Sequence, residues 1–353
     1  MTSLSQRAVA VRYATSTLAL GALFLAACSN STSLGKADAA SSEPPPSSGV
    51  TCSGKAKPGA ADSTFDGGIG YDNVQVPGQD GGVREAIVHV PASYDPTKGT
   101  MLVVNMHGLL GNDVQEANYT KMSEVADQKN FIVVYPQGLS GSLGTSWNAG
   151  VCCLNTNDDV GFIRHLVTKL ESDYCIDPKK VFATGLSNGA MMSYRLACEA
   201  SDVFAAVAPV SGSVEVGTCA PPRPVPVLAF HGTSDSIVPY YGGTDGIVHV
   251  LPIPSVAKSI NQFKTIDACP DANDTSTDVD ASFVDSKTVY QKGDATCRSW
   301  SPCAAGSEVE LCTITGGGHA WPGSGASFGA GIASNDIDAS SYIIDFFLKH
   351  PMP

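Results

Sequence analysis

Basic residues are few in this chain: 21 lysines and arginines stand against 34 aspartates and glutamates, a net charge of −13 with histidine neutral. Nucleic acid is therefore not an expected partner, because no positive field would draw in a polyanion or neutralise its phosphates. Metal-ligand spacings are missing too. Neither a Cys-x-x-Cys nor a His-x-x-x-His pair occurs, which removes the usual zinc patterns, so no metal site is expected. The seven aspartates from Asp267 to Asp294 fit no EF-hand, since the glycine and terminal glutamate of that loop are lacking. They read as a solvated insertion. The apolar stretch over residues 18–27 is too short to span a bilayer.

That stretch has another meaning. Residues 1–27 carry Arg7 and Arg12 but no acid ahead of the apolar run, the pattern of a secretion signal that the mature protein loses. Its end, Leu25-Ala26-Ala27-Cys28, resembles a bacterial lipobox, which implies lipidation of Cys28 and a membrane anchor; the alternative is an ordinary signal cut near Ala27. Residues 28–57 are rich in Ser, Ala, Pro and Gly and are expected to be a disordered tether, leaving 58–353 as one folded domain. Ser29 resembles the residue following the cysteine in outer-membrane lipoproteins. Setting Cys28 aside, ten of the eleven cysteines remain, enough for five bridges in an oxidising compartment. Their pairing is left open. The expectation is an exported, disulfide-stabilised protein.

Apolar runs recur over residues 85–90, 101–106, 131–135, 181–184, 205–210, 225–230 and 309–314. Several are continuous rather than alternating, as in strands buried on both faces, and helix-like segments over 160–170, 191–198 and 342–350 lie between or after them. The expected fold class is α/β, a mostly parallel central sheet flanked by helices.

Chemistry concentrates where these runs end. Gly185-Leu186-Ser187-Asn188-Gly189 follows the apolar run 181–184 and opens a helical stretch, the setting of a nucleophile elbow in which the flanking glycines leave room for a crowded turn. A second match, Gly325-Ala326-Ser327-Phe328-Gly329, has no strand before it and reads as a flexible loop. A serine hydroxyl needs a base, and the base a carboxylate to orient it. Asp235 follows the run 225–230 and His319 follows 309–314, so Ser187, Asp235 and His319 occur in the order used by α/β-hydrolases. Among the other histidines, His107 and His231 each precede a glycine at a strand end. Either could line the site, His107 as a substrate contact, though both are better placed to brace loops. The Asn188 and Leu109 backbone N–H groups are the candidate oxyanion donors. Trp147 and Trp321 could offer flat surface to an aromatic acyl group or could be packing residues. Asp158 and Asp159, ahead of a periodic helix, read as caps.

Several stretches together resemble the polyhydroxybutyrate-depolymerase-like esterases, and most closely their feruloyl esterase branch. The carriers are Val90-Pro91-Ala92-Ser93-Tyr94-Asp95, Met106-His107-Gly108, Ser146-Trp147-Asn148-Ala149-Gly150-Val151-Cys152-Cys153, Asp158-Asp159-Val160-Gly161-Phe162, the Ser187 elbow, His231-Gly232-Thr233-Ser234-Asp235 and Gly318-His319-Ala320-Trp321-Pro322-Gly323. The resemblance implies an α/β-hydrolase fold and a Ser187, Asp235, His319 triad. It also implies hydrolysis of carboxylic esters without a cofactor. Feruloyl esters of plant polysaccharide are the implied substrates, with hydroxybutyrate oligomers or acetyl xylan as alternatives. Leu109 stands where polymer depolymerases of the group often carry a cysteine, which tilts the reading toward phenolic esters. The rival outside this class is a surface lipoprotein that binds carbohydrate without turnover.

Overall fold

A run such as Met101-Leu102-Val103-Val104 has no polar face, and in the computed structural model of the protein it lies in a sheet covered on both sides. The structure describes residues 49–55, 72–77, 82–246, 251–270 and 286–353. Ten strands form the central sheet: β1 (Asp72–Pro77), β2 (Val83–His89), β3 (Thr100–Met106), β4 (Ile132–Pro136), β5 (Ile176–Leu186), β6 (Ala206–Val210), β7 (Val227–Gly232), β8 (Lys287–Lys292), β9 (Ala295–Trp300) and β10 (Val309–Ile314). Their spatial order is β1-β2-β4-β3-β5-β6-β7-β10-β9-β8. Neighbours from β4 through to β10 run parallel, and antiparallel strands finish both edges. The expected α/β architecture is present, with all seven apolar runs in strands.

Because side chains alternate across a sheet, one continuous run feeds two cores. Leu102 and Val104 pack with Val134, Val181 and Val207 under helices α3 (Asp159–Asp173), α4 (Asn188–Glu199) and α5 (Val256–Ile266), whereas Met101 and Val103 pack with Val133, Phe182 and Phe230 against α6 (Ala339–Lys349). Two further helices, α1 (Asp113–Thr120) and α2 (Met122–Lys129), cover the second face and are separated by Lys121 in a left-handed conformation. β3 is the switch point. The chain leaves it toward β4 on one side and later builds β5, β6, β7 and β10 on the other, so the loops beyond the carboxyl ends of these strands diverge and leave a crevice.

Five bridges join Cys52 to Cys175, Cys152 to Cys153, Cys198 to Cys219, Cys269 to Cys303 and Cys297 to Cys312. The first corrects the expected tether. Cys52 N–H donates to the Thr97 carbonyl at 3.1 Å and the Lys55 ammonium to the Glu171 and Ser172 carbonyls at 2.8 Å, so residues 49–55 belong to the domain and not to a disordered linker. The expected signal, Cys28 and the rest of the tether up to residue 48 lie outside the described residues. So do residues 271–285 of the acidic insertion. Asp267 at its edge is buried and not solvated, accepting from Val225 N–H at 3.0 Å and Ser307 Oγ at 2.5 Å.

Candidate active site

β5 runs into α4 through Ser187, whose backbone is forced to φ 57°, ψ −117°. This conformation is strained for a residue with a side chain. The turn tolerates it because its neighbours are glycines: a Cβ at Gly185 would lie 2.4 Å from the Met106 carbonyl oxygen, and one at Gly189 would lie 1.9 Å from it. The elbow is held by Ser187 N–H donating to the Val210 carbonyl at 2.9 Å.

Asp235 follows β7 and His319 follows β10, adjacent parallel strands, which brings residues 84 positions apart into contact. His319 Nδ1 is 2.8 Å from Asp235 Oδ2, while the other carboxylate oxygen accepts from Ile237 and Val238 N–H at 2.9 Å each. Burial alone would raise the Asp235 carboxyl, but hydrogen bonds from His231 and His319 outweigh it and hold the group well below the ordinary carboxylate range. It is an anion whose two oxygens are both engaged. His231 braces the acid loop, with Nε2 donating to the Val238 carbonyl at 2.8 Å and standing 3.4 Å from Asp235 Oδ2.

Ser187 and His319 face a common cavity of about 350 Å³, walled by Leu109, Leu110, Tyr119, Ile237 and Phe328 and also touched by His107 and Glu116. A smaller crevice of about 20 Å³, lined in part by Met191, Leu251 and the Cys152–Cys153 pair, also reaches Ser187. At the elbow, Asn188 opens α4 and its N–H points out of the first helical turn, where no intrahelical acceptor exists. In the turn after β3, Leu110 N–H donates to the Thr145 carbonyl and Gly111 N–H to the Gly108 carbonyl, and the preceding Leu109 N–H has no internal acceptor among the described residues. Gly108 brings this turn to Ser187: a Cβ there would be 3.3 Å from that of the serine.

Three expected substrate contacts need revision. His107 touches the cavity, yet Nδ1 donates to the Gly108 carbonyl at 2.7 Å and Nε2 accepts from Gly138 N–H at 3.0 Å. Burial pushes its imidazole down to about 4, so it is a neutral brace with no nitrogen to offer. Trp147 and Trp321 are fully buried and wall neither cavity. Trp147 Nε1 donates to the His107 carbonyl at 2.8 Å and its N–H to Asn188 Oδ1 at 2.6 Å, while Trp321 Nε1 donates to Ser340 Oγ at 3.0 Å. These indoles set the loops around the serine. The supposed flexible loop around Ser327 is also ordered: Ser327–Phe328 pairs antiparallel with His319–Ala320, placing Phe328 on the cavity wall.

A family profile described as esterase PHB depolymerase matches residues 90–248, which hold the elbow and the acid loop. Feruloyl esterase B of Piromyces equi is 32% identical over 244 residues, covering 67% of this chain and 42% of that protein. The chain belongs to the PHB depolymerase esterase family. Another family relative in sequence, a bifunctional acetylxylan esterase/xylanase of Neocallimastix patriciarum, is 26% identical across 68% of this chain and 31% of its own length. The chain thus spans less than half the length of these two curated relatives. The acetyl xylan esterase of Aspergillus awamori shares the fold at a TM-score of 0.52 and 17% identity, over 79% of this chain and 99% of that one.

Two residues of this esterase-family site escaped the sequence reading. Arg84 of β2 forms a buried 2.6 Å ion pair with Asp159, and its guanidinium lies 3.7 Å over the Phe162 ring. Asp159 Oδ2 then accepts from Asn148 N–H at 2.6 Å, so the pair anchors the Trp147 loop; Asp158 caps α3 through Gly161 N–H, as expected. The other is Glu116 of α1, buried at the cavity. Each is an ionisable residue inside a short or apolar segment, and neither belongs to a local motif.

Proposed function

We propose that the protein is an exported serine esterase of the PHB depolymerase family that cleaves hydroxycinnamate esters of plant polysaccharide through an acyl-enzyme. The observation that carries this reading is the meeting of Ser187, on its elbow, with an Asp235-held His319 at one apolar cavity. Ser187 Oγ attacks the ester carbonyl as His319 takes its proton, and Asp235 fixes the imidazole with Nδ1–H toward the carboxylate. The Asn188 and Leu109 N–H groups stabilise the oxyanion, and His319 then protonates the leaving alcohol. Water repeats the sequence to release the acid, and no step calls for a cofactor.

The aromatic acyl group is favoured over acetyl by the cavity. A volume of about 350 Å³ walled by Leu110, Tyr119 and Phe328 suits a planar ring and is far larger than a methyl group fills. Five disulfides support an oxidising, extracytoplasmic setting. With residues 1–27 as its signal and Cys28 as the lipidated residue, the mature enzyme would be tethered to a bacterial membrane.

The test is release of free ferulate from methyl ferulate, with acetylated xylan and hydroxybutyrate oligomers as competing substrates. Ser187→Ala should lower kcat on the order of 10⁴-fold or more without changing the thermal midpoint. Retention of above about a tenth of wild-type turnover would sink the nucleophile assignment. Activity confined to acetylated xylan or to the oligomers would transfer the substrate to those classes.

A further inference from the structure

The cavity beside Ser187 is apolar apart from a few side chains, and most of those are committed. His319 is held by Asp235, His107 has both nitrogens on backbone groups, and Tyr119 OH donates to the Ala326 carbonyl at 2.7 Å. Gln115 also lines the cavity, but it is exposed and can satisfy its amide with water. Glu116 differs. It is 3% exposed, and its Oε1 is buried without a hydrogen-bond partner among the described residues.

The helix that carries it is firmly held. Asn112 caps α1 by accepting from Gln115 N–H at 2.8 Å, and one turn further on Thr120 Oγ1 donates to the Glu116 carbonyl at 2.8 Å while accepting from Asn105 Nδ2 of β3 at 3.0 Å. These bonds fix the backbone that carries Glu116 at the cavity wall, and a buried carboxyl with an unused oxygen there is costly unless something meets it. Burial raises its pKa well above the ordinary glutamate value and so favours the protonated form, which can donate one hydrogen bond and accept another.

We propose that Glu116 is a specificity-determining residue of this site, its carboxyl group meeting an oxygen substituent on the aromatic ring of the acyl group. The inference rests on the hydroxycinnamate reading above. A ring bearing hydroxyl and methoxyl groups offers a donor and acceptors to match the acid, whereas an unsubstituted ring would leave the carboxyl buried and unmet. A site of that kind rejects the analogue that lacks the polar group.

The experiment compares kcat/KM for methyl ferulate and methyl cinnamate in the wild type, Glu116→Gln and Glu116→Leu. The wild type should prefer ferulate by roughly tenfold or more, as one buried hydrogen bond implies. Glu116→Gln, which keeps a donor and an acceptor, should retain most of that preference, and Glu116→Leu should lose it. An unchanged ratio in Glu116→Leu overturns the assignment while leaving the feruloyl reading in place. If the leucine variant does not fold, the wild-type ratio decides, and parity between the two esters overturns the proposal. A wild type that cleaves acetylated xylan but neither aromatic ester removes the substrate reading and the Glu116 role with it.

Discussion

Four buried carboxyl groups illustrate how neighbours set the state of one functional group. Asp235 receives three donors, with His231 Nε2 a further 3.4 Å away, and stays ionised, Asp159 faces a guanidinium, Glu116 keeps an oxygen without a partner among the described residues, and Glu310 receives the Tyr342 hydroxyl at 2.6 Å. For Glu310 burial dominates and pushes the carboxyl up to about 7, aided by nearby Glu308 and opposed by the hydrogen bond from Tyr342. A folded-state value above the unfolded one means the native protein holds the proton longer. That contribution is complete below the ordinary glutamate range and is lost as pH rises through about 7. Stability should therefore fall between pH 5 and pH 8 by on the order of 1–3 kcal/mol from this group. Glu310→Gln, which still accepts from Tyr342, should flatten the decline in urea midpoints over that interval; an unaltered slope would assign it elsewhere. That Ser187, Asp235 and His319 would gather at one place was legible in sequence because each sits where a strand ends and a glycine-rich turn begins. Burial was not. Nothing local separates a tryptophan that offers its face to a ligand from one that fills a core, and Glu116 in a short helix looks like any surface glutamate.

At the scale of elements, continuous apolar runs were readable because a strand covered on both faces can carry little else. The β8–β9 hairpin was missed since Lys287–Lys292 is mostly exposed at the sheet edge and alternates weakly. α1 and α2 are eight residues each, too short to show a clear apolar period. The contact between β2 and α3 is as consequential as any of these. Arg84 and Asp159 are 5% and 0% exposed, and Asp159 also carries Asn148 N–H. Asp159→Ala leaves a guanidinium buried without its counter-charge and should cost about 3–5 kcal/mol. Adding Arg84→Met should recover much of the loss, since removing both charges removes the desolvation cost. Chemical denaturation of the two variants checks this, and a single-variant cost below about 1 kcal/mol would place the stabilisation elsewhere.

For the whole molecule, the link between the amino-terminal segment and the sheet was invisible in sequence because cysteine counts do not reveal partners. Cys52 and Cys175 are 123 residues apart. A cross-link closing so long a loop restricts the unfolded chain strongly, by about 4–5 kcal/mol in the chain-entropy account. The Cys52→Ser, Cys175→Ser double variant should lower the guanidinium midpoint accordingly and open residues 49–55 to proteolysis. Protection equal to the wild type would mean that the backbone bond from residue 52 to Thr97 and the Lys55 contacts suffice alone.

The short ladder between His319–Ala320 and Ser327–Phe328 ties the histidine to the rim of the cavity. Tyr119 of α1 reaches the same segment through the Ala326 carbonyl and a ring contact at 5.4 Å with Phe328. A glycine-rich surface stretch would ordinarily be the first place to graft a loop from a relative in search of a new substrate range. Here residues 319–328 form a single transplantable module with the face of α1, and exchanging the rim alone would shift His319 along with the pocket.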